Sequence, residues 1–221
     1  MTDGLSMHER LLGRWLELVI PPAQPTNAAA TFDQLVAAYG EDGRHYHDLR
    51  HVAALLDLAA GEAGALRDPR SVGLAIFFHD AVYDVSRKDN EAASAALAQM
   101  TMRALGFSLD EAIRVGRLIE ATAHLGPSVP GDMADDPDLA RLLDFDLAIL
   151  AADAATYDAY AADVRREYAC YPDAQFNAGR IKVLEAFLAA PRLFRVAVHH
   201  KAWDRAARSN LCRELARLKA R

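Results

Sequence analysis

A chain of 221 residues, 52% hydrophobic and 25% charged, has room for a substantial core and the balance of an ordinary globular protein. Its net charge of −6 argues against a nucleic-acid polymer as partner, because phosphate backbones are gripped by clustered Lys and Arg. A small phosphorylated ligand held by a few arginines stays open. Cys170 and Cys212 are the two cysteines and form no CxxC pair. That excludes a disulfide scaffold and a thiolate zinc site, and it fits a reducing compartment.

Apolar residues recur at helical spacing almost throughout, and alternating runs are scarce. The pattern predicts helices at about 5–20, 28–40, 47–61, 70–79, 90–105, 108–125, 137–150, 153–171, 174–190 and 198–219. The first, MTDGLSMHERLLGRWLELVI, carries an apolar stripe broken by Glu9, Arg10, Arg14 and Glu17. It reads as neither a signal peptide nor a membrane span, so a cytoplasmic protein with no membrane partner is expected. PPAQP at 21–25 ends it, and GPSVPGDMADDP at 126–137 is the longest polar stretch. Asp89 and Ser108 are the expected N-caps of the helices that follow them, Ser108 completing a capping box with Glu111. No repeat or composition shift divides the chain, which predicts a single all-α domain over 1–221.

Three stretches carry chemistry. GRHYHDLRHVAALL (43–56) places His45, His47 and His51 at the mouth of an apolar run. AIFFHDAVYD (75–84) leads four apolar residues into His79 and Asp80, so the pair ends a buried helix, where a carboxylate is costly without a compensating cation. RLLDFDLAIL (141–150) sets Asp146 between Phe145 and Leu147 in an apolar helix. Together they offer two imidazoles and two carboxylates, a mixed N/O set suited to a borderline divalent ion. Neighbours in a regular helix point about 100° apart, so His79 and Asp80 can act together only where the helix ends.

The order His … His-Asp … Asp on a helical chain resembles the HD superfamily of metal-dependent phosphohydrolases. The local forms RHYHDLRHV, FFHDAVYD, NEAASA, LDFDLAIL and AGRIKVLEAFL resemble a bacterial branch of predicted HD-superfamily phosphohydrolases, over roughly residues 30–215. The resemblance implies an HD-type helical bundle and puts the metal ligands at His51, His79, Asp80 and Asp146. His47, one helical turn before His51, is the alternative first ligand, or else a substrate-facing group. Asp144 competes with Asp146, which fits the motif better. Binuclear relatives need further histidines after the His-Asp pair. Asn90-Glu91 stands where one would come, which favours a single ion, with His124 the remaining candidate for a second.

The activity implied is hydrolysis of a nucleotide or another small phosphorylated metabolite, with one divalent ion (Mn, Co, Fe, Ni, Zn or Mg) activating water. Asp84, Glu91 and His47 are the acid–base candidates. Arg50, Lys88, His124, Arg165 and Arg180 are candidate substrate contacts, guanidinium binding phosphate bidentately. Blander readings stand beside these: Asp84 and Glu91 as caps, Arg165 and Arg180 as ion pairs on helix surfaces, Tyr157, Tyr160 and Tyr168 as core, and His45, His199 and His200 facing solvent. The alternative functions are a sensor that binds a nucleotide without turnover and a di-iron oxygenase. A homo-oligomer is left open.

Overall fold

A computed structural model describes residues 5–124 and 135–220, apart from the side chain of His124. The described residues hold ten α-helices and no strand, so the chain is all-α. The helices are α1 Met7–Val19, α2 Pro25–Tyr39, α3 Leu49–Gly61, α4 Pro69–Phe78, α5 Asn90–Ala104, α6 Leu109–Glu120, α7 Pro137–Asp146, α8 Ala154–Glu167, α9 Asp173–Ala189 and α10 Ala197–Lys219. They form two compact units, residues 1–123 and 124–221.

In the first unit, α4 is the buried element: every residue from Ser71 to Phe78 is shielded from solvent. Its aromatic end meets α1 and α2, where Trp15 packs edge-on against Phe77 and Phe78, and Phe32 against Phe77. The Trp15 indole N–H donates to the Ala28 carbonyl at 2.7 Å, which leaves this aromatic core without an unpaired donor there. Apposition of α5 and α6 is close. A Cβ on Gly116 would stand 2.0 Å from the Gln99 amide, so the absent side chain makes room for the neighbouring helix.

The second unit has its own core of Leu147, Leu150, Tyr157, Leu184, Leu193, Phe194, Ala207 and Leu211, contributed by α8, α9, α10, the turn after α7 and the turn between α9 and α10.

Helix starts follow their local chemistry. Ser6 and Ser108 each close a capping box, with Glu9 and Glu111 respectively. Pro25 opens α2 three residues before the apolar period predicts, because proline at the first helical position forgoes only an N–H that has no partner there. Asp89 sits at the N-cap of α5 but gives it no side-chain bond, its carboxylate being paired with Arg87. Three predicted helices also end early, the 153–171 segment at Glu167. The 108–125 segment tightens into a 3₁₀ turn after Glu120, and the 137–150 segment does so at Ala148–Ala151. Asp146 therefore ends α7 instead of lying mid-helix.

Candidate metal centre

The stretch 43–51 turns into α3. Gly43 takes φ +92°, a left-handed conformation that glycine adopts without steric cost. Asp48 then caps α3, its carboxylate accepting the Arg50 N–H at 2.7 Å. His51, in the first turn, is carried inward and is buried. His47 lies just outside the helix, half-buried, its ring stacked 4.4 Å from that of Tyr83 and 5.9 Å edge-on from His51.

His79 is the C-cap of α4, and the helix stops where the His-Asp pair requires it to. Its Nδ1–H donates to the Ile76 carbonyl at 2.9 Å, which leaves Nε2 as the ring atom turned toward the cluster. That Nε2 stands 3.2 Å from His51 Nε2 and 3.0 Å from Asp80 Oδ2, and His51 Nε2 is 3.8 Å from the same oxygen. Donors bound to one ion at about 2.0–2.2 Å, at tetrahedral or right angles, stand roughly 2.8–3.6 Å apart. The three atoms converge at close to that spacing, and their chemistry suits a borderline divalent ion. This group of His and Asp side chains could bind a metal ion.

Burial works against ionisation of Asp80, but the charges of His79, His47 and His51 and a hydrogen bond from His79 hold its carboxyl far below the usual range. The carboxylate form is thus the one presented to the two imidazoles. Its main chain is fixed from both sides: the N–H meets the Tyr39 hydroxyl at 3.3 Å, and the carbonyl accepts from Arg44 at 2.6 Å.

The other candidates are placed as follows. Asp84 is exposed and shapes its own loop, Oδ1 accepting from the Ser86 N–H at 2.8 Å and from the Ser86 hydroxyl at 2.7 Å. Those bonds hold its carboxyl below the usual range. Asn90 closes the same loop, donating to the Asp84 carbonyl and accepting its N–H. Glu91 is half-buried in the first turn of α5, and Lys88 is exposed. Arg50 is exposed, pairing with Asp48 and donating to the His45 carbonyl. His124 ends a 3₁₀ turn, but its side chain lies outside the described residues.

In the second unit, Asp146 is half-buried at the end of α7. Asp144 is fully buried and spoken for: Oδ1 accepts from the Arg195 N–H at 2.7 Å, and Oδ2 from the Val196 N–H at 2.8 Å and His199 Nδ1 at 2.9 Å. Burial nonetheless pushes its carboxyl upward against those three donors. His199 is buried and stacked on Trp203, not in solvent, and His45 and His200 are half-buried. The expected solvent face of the 198–219 helix turns in at His199 because Asp144 needs its donor.

Arg180 is not a surface ion pair. Its guanidinium is buried and pairs with Glu214 through two bonds of 2.8 and 3.0 Å, with the Tyr160 ring stacked near it. Tyr157 is buried in the same network and donates its hydroxyl to Glu214. Arg165 joins the end of α8 to the start of α9, through Asp173 and the carbonyls of Tyr168 and Tyr171. The residue that sequence reasoning missed is Arg44, which sits inside the first stretch of interest yet shows nothing in its residue type of the buried position it takes.

Compared with family models, curated proteins and solved structures, the chain matches none. Among the described residues, no helix is long and apolar enough to cross a membrane.

Proposed function

We propose that the protein is a metal-dependent phosphohydrolase of the HD type, acting on a nucleotide or another small phosphorylated metabolite. The observation that carries this reading is the convergence of His51 Nε2, His79 Nε2 and Asp80 Oδ2 within 3.0–3.8 Å, on buried rings, with His79 Nδ1 tied to the Ile76 carbonyl. Asp146 is the fourth ligand that the resemblance implies. Asp144 is left out, since its oxygens already accept three hydrogen bonds.

These residues would hold a divalent ion, which would supply an acidified water and a polarised phosphoryl oxygen. The protein's own groups do the rest. His51 and His79 hold their Nε2 atoms toward one point, and Asp80 supplies the negative charge that would offset a cation. His47, braced on Tyr83, is the proton-transfer group beside them, with Glu91 the second candidate. Asp84 is assigned to the loop, because a carboxyl held low by Ser86 is a poor proton donor near neutrality. Of the candidate cations, Lys88 is exposed, Arg50 is exposed but paired with Asp48 and the His45 carbonyl, and Arg165 and Arg180 are engaged internally.

The test is a panel of nucleotides and sugar phosphates with Mn, Co, Ni, Zn and Mg, read as release of phosphate or pyrophosphate. Turnover with at least one metal is expected, together with loss of both bound metal and activity in Asp80→Ala. His47→Gln should keep the metal and lose about 10²–10⁴-fold in rate, the usual worth of a positioned acid or base. A metal-loaded protein that leaves the whole panel untouched would overturn the hydrolase reading. If a nucleotide then raised its melting temperature unconsumed, the sensor reading would replace it.

A further inference from the structure

The Arg44 guanidinium is nearly sealed, its side chain only 3% exposed, yet among the described residues it pairs with no buried carboxylate. Among the described residues, the carboxylate it pairs with is that of the exposed Glu41, 3.4 Å away. It is spent on main-chain carbonyls instead: Nη1 donates to Asp80 at 2.6 Å and to His47 at 3.1 Å, and Nη2 donates to Ala81 at 3.1 Å. The rings of Tyr39 and Tyr83 lie 5.2 and 5.4 Å from its central carbon, and among the described residues its Nε has no hydrogen-bond partner. Burying a cation this way is costly, and the carbonyls it serves are not scattered. Two belong to the turn just past α4, where helical hydrogen bonds run out and Asp80 must point sideways. The third belongs to His47, four residues before His51.

We infer that Arg44, together with Tyr39, is a positioning residue of the metal centre: it fixes the Asp80 peptide against the 44–48 segment so that Asp80 and the two imidazoles converge. This rests on the metal-site reading above. Tyr39 accepts the Asp80 N–H while Arg44 grips the same residue's carbonyl, so the Asp80 backbone has little freedom to rotate its carboxylate away. Second-layer groups of this kind typically set metal affinity by about 10–100-fold.

Cobalt(II) chloride alone, titrated into the full chain by calorimetry and by its visible absorption, tests the inference, with melting temperatures taken in the absence of metal. Arg44→Met should weaken cobalt binding by about 10–100-fold. Arg44→Lys, which keeps the charge but lacks the fork for three carbonyls, should fall between it and the unaltered protein. Tyr39→Phe should weaken binding by about 10-fold, and Glu41→Gln should leave it unchanged. If Arg44→Met does not fold, Arg44→Lys decides. A merely structural role would lower the metal-free melting temperature of the arginine and tyrosine variants while the folded protein bound cobalt as before, and that result overturns the inference alone. Failure of the unaltered protein to bind cobalt at all would overturn both the metal-site reading and this one.

Discussion

At the scale of single residues, the fate of the arginines separates phosphate contacts from internal ties. A guanidinium facing substrate keeps donors in reserve, whereas Arg180 spends its fork on Glu214 with both side chains under 10% exposed. Removing one partner of such a pair strands a buried charge, which costs about 3–5 kcal/mol. Glu214→Ala and Arg180→Ala are therefore both expected to lower unfolding free energy by about that much in denaturant titrations. A change confined to KM would instead assign Arg180 to substrate. Asp158 shows the opposite, exposed case. Hydrogen bonds and charge from Arg217 and Arg213 pull its carboxyl down to about 2, below its ordinary 3.8. A depressed carboxyl stabilises the fold above its unfolded pKa and loses that contribution as pH falls through its folded value. The melting-temperature gap between the unaltered protein and Asp158→Asn should thus be present near neutrality and close between about pH 4 and pH 2.

Among the elements, helix caps are the features most directly tied to sequence. Ser108→Ala, which removes the capping box from α6, should cost about 1 kcal/mol and lower the melting temperature by roughly 2–4 °C. Ser108 was readable because a hydroxyl three residues before a glutamate has one local use. Asp89 misled for a physical reason: the nearby Arg87 competes for its carboxylate, and local spacing does not say which partner wins. The ten helices were legible from their 3.6-residue apolar period, and so was the end of α4 at the His-Asp pair. Two things were not. The early break of α7 at Asp146 leaves the apolar pattern of 147–150 intact, because a 3₁₀ turn buries nearly the same residues. The burial of His199 and Arg44 depends on partners 55 and 36 residues away, which no local window contains.

Taken as a whole molecule, the chain builds two compact units, each with its own apolar interior. Unit one carries its metal-type cluster on the ends of helices, at the first turn of α3 and just past α4, where main-chain groups are unsatisfied and side chains can converge from different directions. The second unit is tied across the sequence by Asp144, whose three donors arrive 51 to 55 residues later. That separation has a consequence in time. As the polypeptide leaves the ribosome, the Asp144 carboxylate emerges well before any group able to receive it, and water remains its only solvent in the interval. The Asp144 carboxylate gains its three donors only after residues 195–199 have emerged, so its burial waits on α10. Synthesis order thereby makes α10 the latch of this unit, and a ribosome stalled before it would hold a chain whose α7 end is still hydrated.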